Sequence, residues 1–96
     1  MIVRIVKMKF REEELNNFLT LFHTVENKIR SFPGCNGMKL LRQTDDPTTL
    51  FTYSLWDSEE HLKDYRFSDL FKDTWSKTRI LFADKPEAWS LTEVSS

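Results

Sequence analysis

The residues best suited to chemistry lie between Trp56 and Trp75, in the run WDSEEHLKDYRFSDLFKDTW. Trp56, Tyr65, Phe67, Phe71 and Trp75 are spread along it, and Phe18 and Phe22 recur at helical spacing earlier in the chain. Phenylalanines in such a set mostly fill a core, because large rings dominate burial. Tyr65 and Trp75 differ. Each carries one polar atom that needs a partner when buried, and a planar aromatic ligand can stack beside the ring while accepting that hydrogen bond. These two are the candidate catalytic residues, with Trp56, Phe22 and Phe71 as candidate walls of a substrate pocket. Arg4 is a further substrate-binding candidate: it shares a strand face with Ile2, Val6, Met8 and Phe10, where a cation must be paired or stand at a cavity rim. An ion pair with one of the 15 acidic residues, within the chain or across a subunit interface, is the plainer role for it.

His61 is the last substrate-binding candidate, and a solvated or capping role competes with that one, as it does for His23. The two histidines and Cys35 do not make a set with metal-ligand spacing, so no metal is expected. The chain has no dinucleotide fingerprint, phosphate-binding loop or nucleophile elbow, which leaves nicotinamide, nucleotide and acyl-transfer chemistry without support. Cys35 lacks a neighbouring base and reads as a small apolar residue.

Several elements must position these side chains. Ile2 to Phe10 reads as a strand whose first half is apolar on both faces, the pattern of a sheet covered on two sides. From Glu12 the period changes: Leu15, Phe18, Leu19, Phe22, Val25, Ile29 and Phe32 recur every three or four residues, predicting an amphipathic helix ended by Pro33 and Gly34. Met38 to Gln43 reads as a second strand, which turns through Asp45, Asp46 and Pro47 into a third over Leu50 to Trp56. Asp57 or Ser58 can cap a helix, and Ser68 can cap another after a break near Phe67, because Phe67 falls off the face of Leu62 and Tyr65. Ile80 to Ala83 and Ala88 to Val94 read as a fourth strand interrupted near Lys85-Pro86. The order β-α-β-β-α-β is the ferredoxin-like α+β arrangement with a four-stranded antiparallel sheet.

With the Pro33-Gly34-Cys35 turn, the Trp56-Asp57-Ser58-Glu59-Glu60 strand end and Ser68-Asp69-Leu70-Phe71, this order resembles the antibiotic biosynthesis monooxygenase family of small dimeric α+β barrels. The resemblance implies a cofactor-free oxygenase in which the substrate, as its phenolate or enolate, supplies electrons to O2 while Asn, Trp, Tyr and Arg side chains orient it. Trp56, Tyr65 and Trp75 fill such places, and no matching Asn stands on the first or third strand. A haem-degrading branch of the same family uses an Asn-Trp-His set. Here Trp75 falls where the histidine would be and Tyr65 where the tryptophan would be, and indole cannot ligate iron.

Ninety-six residues, 40% of them hydrophobic, suit one domain spanning residues 1–96, with Ser95 and Ser96 expected to fray. So small a chain buries only about two-thirds of its unfolded surface, which favours further burial in a homodimer. The expected interface is the sheet face opposite the helices plus Pro86 to Val94, with Trp89 as anchor. A net charge of −1 argues against nucleic acid and anionic membranes. A single cysteine and an N-terminus without an apolar signal core suit the cytoplasm. Two functions remain: a cofactor-independent monooxygenase of a small aromatic or quinol-like substrate, with Arg4 or His61 stabilising an anion, or a non-catalytic dimeric module binding a small hydrophobic ligand.

Overall fold

A computed structural model describes residues 1–95; Ser96, half of the pair expected to fray, lies outside the described residues. Alternation in the first strand and the 3.6-residue period after it produce β1 (Ile2–Lys9) and α1 (Leu15–Arg30), joined through one tight turn at Glu12–Glu14. The rest of the chain forms β2 (Cys35–Gln43), β3 (Asp46–Trp56), α2 (Glu59–Arg66), α3 (Asp69–Arg79) and β4 (Glu87–Thr92). All strand pairs are antiparallel, in the order β2-β3-β1-β4. This is the ferredoxin-like α+β fold, its second helical region broken in two.

The break falls where the capping chemistry places it. Ser58 Oγ accepts from His61 N at 3.2 Å to open α2, and Ser68 Oγ accepts from Phe71 N at 3.1 Å to open α3. Phe67, left at the corner, is 65% exposed. Because a strand's side chains alternate, Ile2, Arg4, Val6 and Met8 share one face with Leu50, Ser54, Trp56 and Met38 of the neighbouring strands. The helices cover that face. Phe18, Phe22, Val25 and Ile29 of α1 pack on Met8, Phe10, Met38 and Leu50, while Leu62 of α2 packs on Ile2 and Trp56.

The other face carries Val3, Ile5, Leu41, Phe51, Tyr53, Leu55, Trp89 and Leu91. Among the described residues no helix covers it, and Leu41, Trp89 and Leu91 are exposed.

Three boundaries differ from expectation. Ile80 to Ala83 is not a strand: α3 runs to Arg79, and the segment is tied to the end of the sheet by a single Phe10–Phe82 bridge, with Arg11 N donating to Leu81 O and Ala83 N to Lys9 O. Proline explains the next one. Asp46 and Pro47 lie inside β3, where a register shift against β2 lets Gln43 face Asp46 and Arg42 face Leu50, so Pro47 is not asked for a ladder bond on that side. β2 begins at Cys35, three residues early, through a second shift between Cys35 and Gly37.

Asp46 anchors the hairpin. Its carboxylate takes Lys9 Nζ at 2.7 Å and the hydroxyls of Thr49 at 2.7 Å and Thr48 at 2.9 Å. The Lys9 bond above all, then the Thr49 and Thr48 bonds, holds this carboxyl well below the usual carboxylate range. A depressed folded value stabilises the protein above the ordinary pKa of about 3.9, and the contribution is lost as pH falls through the folded value. Asp46→Asn is therefore expected to lower the melting temperature at about pH 6 and progressively less towards about pH 2, which thermal scans across that window will show.

Gly34 anchors the other end. Its φ is +88°, and a Cβ there would overlap the side chain of His61. Asp57 N donates to Gly34 O at 2.8 Å, so the turn after α1 is closed against the turn before α2. Gly34→Ala combines left-handed strain with this overlap and is expected to cost about 2 kcal/mol, read as a fall in denaturation midpoint.

Candidate functional site

Between the covered sheet face and the three helices lies a cavity of about 290 Å³. The floor is sheet: Arg4, Val6 and Met8 of β1 and Thr52, Ser54 and Trp56 of β3. α1 supplies Phe22, α2 supplies Tyr65 and Arg66, and α3 supplies Phe71, Thr74 and Trp75. Pro86, Glu87 and Ala88 close it from the β4 side.

The aromatic wall is a chain of contacts. Trp56 and Tyr65 stack with centroids 4.9 Å apart and planes 23° from parallel. Tyr65 meets Phe71 edge-on at 5.3 Å, and Phe71 stacks on Trp75 at 5.8 Å and 11°. The polar atoms of this wall are used unequally. Trp56, 0% exposed, donates its indole Nε1–H to Ser54 Oγ at 2.9 Å. Tyr65 Oη and Trp75 Nε1 make no hydrogen bond among the described residues, so both remain available to a ligand. Burial first, and Cys35 second, push the Tyr65 phenol well above its ordinary range. Tyr65 is thus a neutral hydrogen-bond donor, not a phenolate base.

Arg4 stands where its strand position requires. Its Nη1 donates to Ser90 Oγ at 3.0 Å, and it has no carboxylate partner among the described residues. The intramolecular form of that ion pair does not occur among the described residues. Desolvation, then the charge of Arg66, lowers its pKa from the ordinary guanidinium value.

Six of the seven residues singled out in the sequence, Tyr65, Trp75, Trp56, Phe22, Phe71 and Arg4, come together on this wall. His61 is not among the lining residues. Its Nδ1 lies 2.8 Å from Ser58 Oγ and its ring packs against Gly34, which is a capping and packing role. Two further lining residues, Arg66 and Thr74, are missing from the candidates drawn from sequence. Helical spacing places each near an apolar residue, Arg66 four after Leu62 and Thr74 three after Phe71, but does not by itself put either in the cavity. Thr74 Oγ1 is buried without a partner, whereas Thr78 Oγ1 bonds Thr74 O at 2.7 Å.

A ferredoxin-like sheet roofed by helices around an aromatic cavity defines a small α+β domain, and comparison with known proteins narrows the class. Over residues 1–76 the sequence matches the antibiotic biosynthesis monooxygenase family. The chain belongs to that family. A solved structure described as an antibiotic biosynthesis monooxygenase superposes with a TM-score of 0.92 at 17% identity, covering 99% of this chain and 100% of that one. A candidate antibiotic biosynthesis monooxygenase of Nitrosomonas europaea gives 0.90 at 15%, covering 99% and 100%. One from Caulobacter crescentus gives 0.90 at 22%, covering 98% and 90%. At these identities the likeness is one of fold. No curated protein sequence matches the chain.

The donor set does not suit haem. Neither histidine lines the cavity, and the indole of Trp75 has no lone pair for iron. Among the described residues no helix is long and apolar enough to cross a membrane.

Proposed function

We propose that the chain is a cofactor-independent monooxygenase oxidising a small aromatic or quinol-like substrate with O2. The observation that carries this reading is the pair of unpartnered donors, Tyr65 Oη and Trp75 Nε1, set in an aromatic wall beside the cation Arg4. The substrate ring lies against the wall of Trp56, Phe71 and Phe22. Arg4 supplies the positive charge that an anionic substrate needs, and Tyr65 and Trp75 donate to the substrate oxygen where negative charge collects.

The chemistry then belongs to the substrate. Its phenolate or enolate carbon gives electrons to O2; for an anthrone-like methylene, two hydrogens leave carbon, one oxygen atom enters as the carbonyl and the other leaves as water. The cavity wall contains Arg4, Arg66, Tyr65 and Glu87 as its ionisable groups and no histidine. Deprotonation therefore falls to substrates whose phenol or enol is already acidic or is made so by Arg4. That scarcity of acid–base groups is also what favours the second reading, a non-catalytic module that binds such molecules without turnover.

A homodimer through the uncovered sheet face is part of the proposal. Val3, Ile5, Tyr53, Leu55, Trp89 and Leu91 make an apolar surface of the kind that marks an interface. Cytoplasmic residence, with Cys35 as a free thiol, completes it. The test is oxygen consumption with product analysis on hydroquinones and anthrone-like phenols, using metal-free protein. Uptake with formation of the oxygenated product supports the oxygenase; binding without uptake across the panel leaves the module.

A further inference from the structure

Two cations, not one, stand at the cavity. Arg66, exposed at the end of α2, lines the same space as the half-buried Arg4 on β1, and it is close enough for its charge to bear on Arg4. Like charges held together in this way disfavour one another unless an anion lies between them. No carboxylate among the described residues forms an ion pair with either guanidinium, although Glu87 lines the same cavity.

We infer that Arg4 and Arg66 form an anion clamp and that the cavity takes an aromatic carboxylate, its ring on the Trp56–Tyr65–Phe71–Trp75 wall and its carboxylate between the two guanidiniums. The inference rests on the reading of this cavity as the substrate site and adds a charged substituent to the substrate class. Three arguments select a carboxylate. A guanidinium presents a planar fork that matches two oxygens on one centre, which a lone phenolate oxygen does not offer to two arginines at once. The wall charge, with two arginines against Glu87, sums to one positive charge and so balances a monoanion better than a phosphate dianion. The space, about 290 Å³, lies at the lower edge of ligand pockets, which run from about 300 to 1,000 Å³. A compact aromatic acid suits it better than an extended polycycle.

Isothermal titration calorimetry of naphthalene-2-carboxylate against its neutral isostere, naphthalene-2-carboxamide, tests the clamp directly. The carboxylate is expected to bind at least about tenfold more tightly, as hydrogen bonds to a charged partner require. Arg66→Gln, on an exposed side chain with no ion pair in the fold, should bring the ratio towards one, and Arg4→Gln should do the same. Melting temperatures confirm that both variants fold, and Arg66→Gln alone decides the matter if Arg4→Gln does not. Equal affinity of acid and amide, absence of binding by either, selectivity that survives both substitutions, or tighter binding of 2-naphthyl phosphate would each overturn the assignment. The oxygenase reading fails separately. Carboxylate selectivity without oxygen uptake would leave the clamp and remove the oxygenase, whereas uptake on neutral quinols with no preference for the acid would do the reverse.

Discussion

Replacing Tyr65 by phenylalanine is expected to lower turnover of an accepted substrate by about 10²-fold, the usual cost of one donor to a developing oxyanion, with little change in melting temperature. The two halves of this result come from different parts of the side chain. The ring makes the stack with Trp56 and the edge contacts with Phe32 and Phe71, and phenylalanine keeps all three. The hydroxyl bonds nothing among the described residues, so its loss leaves no partner unsatisfied. Burial holds the phenol protonated, so the deficit should be constant across neutral and mildly alkaline pH, without an alkaline limb from this residue. Steady-state kinetics of oxygen uptake beside a thermal melt measures both. A loss of stability with turnover intact would make the hydroxyl a structural group and take it out of the reaction.

The second large effect is on stability. Trp56→Ala should cost about 3–5 kcal/mol, the range for removing a buried aromatic side chain. Trp56 is 0% exposed at the end of β3, directly opposite Ile2, and it carries Leu62, Phe32 and Tyr65 around it. Its removal also strips Ser54 Oγ of the indole donor 2.9 Å away. In a domain of this size 1 kcal/mol is worth about 4–8 °C, so the melting temperature should fall by roughly 12 °C or more. Chemical denaturation would show the same loss as a lower midpoint. A fall of only a few degrees would mean that α2 collapses onto the vacated space, and with it that the wall of the cavity is plastic.

What could be read from the chain and what could not divide along a physical line. Caps and periodicity are local, so Ser58, Ser68 and the break at Phe67 were legible, as was the apolar stripe of α1. Strand parity put Arg4 on the helix-covered face for the same reason. The membership of Arg66 and Thr74 in the cavity depends on how α2 and α3 are rotated over the sheet, which is settled by packing across the core, and a polar helical residue otherwise reads as part of a solvated face. His61 lies apart from the cavity because its position in the first turn of α2 commits its ring to Ser58 and Gly34. The apolar run Ile80 to Ala83 has strand-like composition, yet helix α3 continues to its edge and only Phe82 pairs. β propensity reports a half-buried setting, and in this segment the helix end competes for it.

Strand β4 has every residue exposed, and it pairs with the opposite end of the chain, 86 residues separating Ser90 from the Arg4 that holds it. Closing so long a loop carries an entropy cost that grows with the logarithm of its length, and the exposed strand recovers little of it through burial. β4 is then the last element to dock and the first to leave, and Pro86 to Ala88 leave the cavity with it. In the proposed dimer the second copy provides the missing burial, so dilution becomes the variable that releases the strand. Amide exchange at Trp89 and Leu91 should slow as protein concentration rises, while exchange in the middle of β3 stays the same.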